Sequence, residues 1–270
     1  MTPFNKDKLN ARRISRLCGK NIPVPEVFGT VGSTNDIAKE RALAGAPPLL
    51  CIAADSQSAG RGRNGHSFHS PAGTGLYMSV ILRPDADPEY FSLITPAAAV
   101  YLCEACEELF GISPEIKWVN DLFSDGKKIC GILTEASLGG AEKQSVAIIG
   151  VGVNTYEPEG GFPAEISNTA GSLLDAPKKD ARNSLCAAFL SRLSELQDKL
   201  TDPAFRADIA EKYRRRCFVI GKKINIISAS GTQKATVLNT DDQCRLEVRL
   251  DSGEKRTLCS GEISIRLDEK

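Results

Sequence analysis

The 270-residue chain has no net charge to offer: 34 Lys and Arg are balanced by 34 Asp and Glu. Without an excess of either sign, nothing global pulls it toward nucleic acid or an anionic membrane surface. Long apolar runs are missing too. None approaches the roughly 20 residues that a bilayer-spanning helix needs. The first 20 residues carry scattered charges and lack the apolar stretch of a secretory signal. These absences predict a cytoplasmic protein with no nucleic-acid and no membrane partner. There is no internal repeat and no low-complexity segment. Cysteine is present but unpatterned: nine residues, an odd number, several of them inside apolar runs (Cys51, Cys130, Cys186). That fits buried free thiols in a reducing compartment rather than a disulfide framework. Cys103 and Cys106 form a C-x-x-C with no second pair, within an apparent helix, which argues against a metal or redox motif.

What is there begins with organisation. The length suits one large domain plus a small one. Residues 1–210 hold 21 Lys and Arg against 25 Asp and Glu, whereas 211–270 hold 13 against 9, a shift that marks a compositional boundary near 211. Residues 1–29 read as irregular, with Pro23 and Pro25 breaking any preceding helix. Helices are predicted over 35–44, 91–110, 182–200 and 203–216, and strands over 49–54, 76–82, 115–119, 129–136 and 145–153. Asp125-Gly126 signals a hairpin turn. From 224 to 258 short strands alternate with turns, the texture of a small β-barrel or sandwich.

The most telling local pattern is Gly60-Arg61-Gly62-Arg63-Asn64-Gly65. Glycines let backbone N–H groups approach a ligand closely, and the two guanidiniums match carboxylate or phosphate oxygens. A pliable cationic loop of this kind suits a small polyanionic ligand; a solvated surface turn is the plain alternative. Ser33-Thr34-Asn35 offers hydroxyl, amide and N–H groups at a helix start, and also reads as a cap. Lys117-Trp118-Val119-Asn120-Asp121 sets a cation, a ring and an amide–carboxylate pair at one strand end. Trp118 reads more readily as core, and Asn120 with Asp121 as oxygen donors for Mg²⁺ or as a turn. Lys128 can reach an anion or simply be solvated. Gly150-Val151-Gly152-Val153-Asn154 ends a buried strand with small residues against which a ring or nucleotide could lie.

The order and spacing of these clusters resemble the biotin protein ligases. The matching segments are Ser33-Thr34-Asn35, Gln57 with Ala59 to Arg63, the run 117–121, Lys128 to Leu133, Gly150 to Asn154, and Gly-Glu-Ile-Ser at 261–264. The chain departs from the family pattern at Val119, where the family usually has proline, at Asn64, where a further basic residue is common, and at Phe68, which stands for a tryptophan of the repressor-type members. Fewer than thirty residues precede the motifs, too few for the winged helix-turn-helix of those members, so the outline is expected to be that of the monofunctional class.

The resemblance implies an α+β fold: a mixed β-sheet with helices, like the catalytic domain of class II aminoacyl-tRNA synthetases, followed by a small SH3-like β-barrel. The corresponding division is a 1–28 extension, a 29–218 catalytic domain and a 219–270 barrel. It implies ATP-dependent activation of biotin as biotinyl-5′-AMP, with Mg²⁺, and transfer to a lysine of a biotin carboxyl carrier protein or domain, by a monomer or homodimer. Arg63, Lys128 and Asp121 become the catalytic residues. Ser33, Thr34, Asn35, Gln57, Gly60, Arg61, Arg63, Lys128, Gly131 and Gly150 are expected to line the biotin site. Arg61, Arg63, Asn120, Lys128, Asn154, Glu262 and Arg266 are expected at the nucleotide, and Asn120 and Asp121 at Mg²⁺. His66 and His69 read as loop scaffolding. Lipoate or octanoate transfer is the nearest rival, and a biotin-responsive transcriptional regulator is disfavoured because no helix-turn-helix is evident.

Overall fold

The computed structural model describes residues 7–137, 145–228 and 231–259, and the backbone of 264–267. Seven strands form one sheet: β1 (Glu26–Val31), β2 (Cys51–Gln57), β3 (Gly75–Leu82), β4 (Glu115–Lys117), β5 (Asp121–Ser124), β6 (Lys127–Ser137) and β7 (Val146–Asn154). Their order across the sheet is β1-β2-β3-β7-β6-β5-β4. Only β1 and β2 pair in parallel and the other neighbours run antiparallel, so the sheet is mixed.

Alternation along the strands sends side chains to two faces. Cys51, Ala53, Met78, Val80, Ile149 and Val151 point into the main core, which they share with α1 (Ala11–Cys18), α3 (Ile94–Phe110), α4 (Ala181–Lys199) and α5 (Pro203–Arg216). The other face carries α2 (Thr34–Leu43), whose Ala38 packs on Leu50, Ile52, Ile81 and Ile148. Helix α3 ends in a left-handed Gly111 whose N–H bonds the Glu107 carbonyl, a conformation that Gly adopts without cost.

After α5, strands β8 (Lys223–Ser228), β9 (Gly231–Thr240), β10 (Leu246–Leu250), β11 (Lys255–Leu258) and β12 (Ser264–Leu267) make a five-stranded sheet in the order β11-β10-β9-β8-β12, all antiparallel. Its inner residues Ile224, Val237, Leu246 and Val248 are continuous with the main core. Trp118, 4% exposed, donates its indole N–H to the Cys244 carbonyl at 2.9 Å, and Tyr213 donates its hydroxyl to the Val119 carbonyl at 3.1 Å. The single tryptophan is therefore core, tying the turn after β4 to the small sheet. The peptide between Trp118 and Val119 is cis.

Three elements differ from the sequence expectation. Residues 11–18, read as irregular, form α1, capped by the Asn10 side chain on the Arg13 N–H. Eight polar-rich residues are too few for a stable isolated helix, and α1 buries a single residue, Ile14, against its neighbours. Strand β1 lies at a sheet edge and is only half buried, so its apolar pattern is weak. The 115–119 strand ends at Lys117; residues 118–120 turn and β5 follows. Among the described residues no helix is long and apolar enough to cross a membrane. All nine cysteines are unpaired, eight of them buried or partly buried.

Candidate active site

Loop 58–74, the start of α2, the β5–β6 hairpin and the glycines of β6 and β7 enclose a cleft of about 230 Å³. Eleven of the expected residues line it: Ser33, Thr34, Asn35, Gln57, Arg61, Arg63, Asn120, Asp121, Lys128, Gly131 and Gly150. Residues dispersed over more than a hundred positions thus meet because β2, β6 and β7 stand in one sheet and α2 begins above them.

One end is neutral and buried. Ser33, Thr34 and Asn35 are 3–4% exposed. Gln57 Oε1 accepts from the Thr34 N–H at 2.9 Å and from its hydroxyl at 3.1 Å, while Gln57 Nε2 donates to Ser70 Oγ at 3.1 Å. Ser70 in turn donates to the Phe68 carbonyl at 3.0 Å. Beneath them Ser79, fully buried on β3, lies 2.7 Å from Thr34 Oγ1 and 2.5 Å from Asn35 Oδ1, so one hydroxyl proton serves two acceptors. Neither Ser79 nor Ser70 was singled out from the sequence. A lone serine inside the apolar run 76–82 is the signal, since a buried hydroxyl needs partners.

The other end is charged. Lys128 Nζ pairs with Asp121 Oδ1 at 2.7 Å, and Arg63 Nη1 donates to Asn120 Oδ1 at 3.2 Å. Asn120 Nδ2 donates to the Ile132 carbonyl, which fixes the amide's orientation. Burial lowers the Arg63 pKa from its ordinary value, against the pull of Asp121. Asn120 and Asp121 supply one amide and one carboxylate oxygen, too few for a Mg²⁺ cage made of protein alone and compatible only with an ion that arrives on phosphate oxygens. Among the described residues no cluster of three or more His, Cys, Asp or Glu could hold a metal.

Arg61 turns toward α2 instead. Its Nη2 meets Asp36 Oδ1 at 2.6 Å and Glu135 Oε2 at 3.4 Å. Glu135 also takes Asn35 Nδ2 at 2.7 Å and Lys39 Nζ at 2.6 Å. Burial alone would raise the Glu135 pKa; the hydrogen bonds from Lys39 and Asn35 and the charges of Lys39 and Arg61 outweigh it, so the carboxyl sits below its usual range.

Of the other four expected residues, two stand outside the cleft. Gly60 lies under the loop, where a Cβ would run into the Phe68 carbonyl and Ser70 Oγ. Asn154 is not in the cleft, its amide donating to the Gly171 carbonyl at 3.0 Å. Glu262 lies outside the described residues, and Arg266 sits on β12 with its side chain undescribed. The small residues of β6 and β7 do accept a ring, but it is the protein's own Phe68: a Cβ on Gly152 or Gly131 would press on it. On Gly150 the space goes to the Asn35 amide. Of the two histidines, His66 lines the cleft, and its carbonyl accepts the Gly62 N–H at 2.7 Å, a scaffolding contact.

This arrangement has known counterparts. Residues 27–154 match the model of the Biotin/lipoate A/B protein ligase family. The bifunctional ligase/repressor BirA of Bacillus subtilis is 34% identical over 228 residues, covering 84% of this chain and 69% of that protein. The biotin–[acetyl-CoA-carboxylase] ligase of Mycobacterium tuberculosis is 30% identical over 247 residues, covering 87% and 86%. A mutant of the Aquifex aeolicus biotin protein ligase solved in complex with biotin superposes with a TM-score of 0.74 at 26% identity, over 90% of this chain and 97% of that one. The same enzyme in complex with biotin and ATP gives 0.73 at 24% identity, a likeness of fold. The mixed sheet with its trailing small β-sheet, the cleft over the glycines of β6 and β7, and relatives matched along most of their length agree: the chain belongs to the biotin protein ligases.

Proposed function

We propose that the chain is an ATP-dependent biotin protein ligase whose cleft makes biotinyl-5′-AMP and passes the biotinyl group to a lysine of a biotin carboxyl carrier protein. The observation that carries this reading is the polarity of the cleft built around the glycine-arginine loop. A buried, neutral hydrogen-bonding end and a cationic end share one cleft of about 230 Å³.

A carboxylate does not acylate an amine at neutral pH, because oxide is a poor leaving group. In the first step a biotin carboxylate oxygen attacks the α-phosphorus of ATP, the bond to the β,γ-unit breaks and pyrophosphate leaves. Negative charge gathers on the phosphoryl oxygens. Lys128 and Arg63 stand ready to exchange Asp121 and Asn120 for those oxygens, which is electrostatic and positional catalysis. Mg²⁺ enters here as part of the nucleotide substrate. In the second step the neutral lysine amine attacks the acyl carbon, AMP leaves, and Asp121 is the carboxylate placed to take the amine proton. Ser33, Thr34, Asn35 and Gln57 bind the ureido ring at the neutral end, where an unmatched polar group would be left unpaired by a ligand that lacks one.

The test is ATP–pyrophosphate exchange run with biotin and, separately, with lipoate. Exchange that depends on biotin is expected; exchange with lipoate alone would move the chain to the rival branch of its family.

A further inference from the structure

The loop arginines divide their work. Arg63 faces the cleft and contacts Asn120, whereas Arg61 reaches over the rim to helix α2 and strand β6. The base of the loop is already pinned by the Arg61–Ser67 bridge and by the Gly62 N–H on the His66 carbonyl. Its arm is held against the cleft by the Arg61 guanidinium between two carboxylates, beside the Arg63–Asn120 contact.

We propose that Arg61 is the latch of the glycine-arginine loop and that Asp36 and Glu135 are the positioning residues that receive it. Asp36, on the first turn of α2, is half exposed and touches only the latch side of the site. Glu135 does more. Its Oε2 accepts both Arg61 and the Asn35 amide, and Asn35 is the residue packed on Gly150 at the neutral end of the cleft. Lys39 on Oε1 holds that carboxylate in place. One carboxylate thus joins the closing loop to the wall of the ligand pocket: an occupied pocket that orders Asn35 also orders the acceptor for Arg61. Arg63 and Lys128 are left as the two cations that meet the ligand.

This rests on the biotin ligase reading only for what the loop encloses, so the first readout needs no activity. In the ligand-free protein, tryptic cleavage after Arg61 and Arg63 reports the open population of the loop. Asp36→Asn is expected to speed that cleavage about five-fold, the scale of one partly exposed ion pair, and Asp36→Glu to restore the wild-type rate. High salt should speed cleavage of the wild type more than that of Asp36→Asn, which keeps only the longer Arg61–Glu135 pair to be screened. Biotin affinity, read by calorimetry, should weaken less in Asp36→Asn than in Glu135→Gln, since only Glu135 also touches Asn35. Equal cleavage of wild type and Asp36→Asn overturns the latch. So does an equal loss of biotin affinity in the two variants, which marks a general structural role. Failure of the wild type to bind biotin at all, with cleavage still accelerated in Asp36→Asn, removes the biotin reading and leaves the latch standing.

Discussion

Among the ion pairs of the molecule, Arg182 with its carboxylates and Lys128 with Asp121 are given opposite jobs by burial. Arg182, at the start of α4, is 1% exposed. Its Nη1 donates to Asp55 at 2.8 Å and to the Gly75 carbonyl at 3.0 Å, its Nε and Nη2 donate to the Asp7 carbonyl, and its backbone N–H meets the Asp7 carboxylate. Tyr156 closes the set with a 2.7 Å bond to Asp7 Oδ2. Asp7 and Arg182 are sealed from water and fully used, so no ligand can displace them from each other, although Asp55 keeps 34% of its side chain exposed. In the cleft, by contrast, Lys128 and Asp121 keep 35% and 23% of their side chains exposed. Such a pair costs little to open, and an arriving carboxylate or phosphate can replace the protein's own acid. The same chemistry is a strut when buried and a socket when half open.

Removing the strut is expected to give the largest effect. Arg182→Ala leaves Asp7 buried without its cation, a loss of about 3–5 kcal/mol in unfolding free energy, measured by urea denaturation. Specific activity per folded molecule should hold. If stability stays within 1 kcal/mol by that measurement, roughly the value of a surface pair, the strut is no different from the socket. Lys128→Ala inverts the pattern. Biotin-dependent pyrophosphate exchange should fall about 10²–10³-fold, the effect of one charge–oxyanion contact, while the denaturation midpoint moves little. Near-normal turnover would show that Lys128 only balances Asp121.

The sequence made the socket legible and hid the strut. Arg61, Arg63, Asn120, Asp121 and Lys128 lie in short motifs beside strand ends, where polar residues and glycines stand out from apolar runs. Asp7 and Arg182 are 175 residues apart, in segments that look like an irregular terminus and the first turn of an ordinary helix. Nothing local says that they meet. Strand β3 was readable as a core strand because its apolar run is continuous, and for the same reason Ser79 was read as part of it. Glu135 was hidden in the same way inside β6. The Arg61 guanidinium was assigned to the ligand because its sequence neighbours favour anions, but its nearest acids are in the fold, on α2 and β6. Sequence motifs identify which groups are chemically able; pairing across the sheet decides which of them are already taken.

Ser79 supplies the smallest effect and the sharpest division between the two ends of the cleft. Its hydroxyl supports Thr34 and Asn35 from below and touches nothing at the charged end. Ser79→Ala deletes that support from a buried network, where leaving an acceptor short costs about 1–3 kcal/mol. Part of the loss falls on folding and part on ligand binding, so biotin affinity should weaken about ten-fold, or ~1.4 kcal/mol. The reacting end is untouched, so the rate of adenylate formation at saturating biotin should stay within about two-fold of wild type, a change too small to reflect a lost transition-state contact. Calorimetry with biotin and exchange assays at high biotin separate the two quantities. A fall in the saturated rate with affinity preserved would mean that the neutral end also positions the carboxylate for attack, and the cleft would then work as one unit rather than as a grip and a reaction centre.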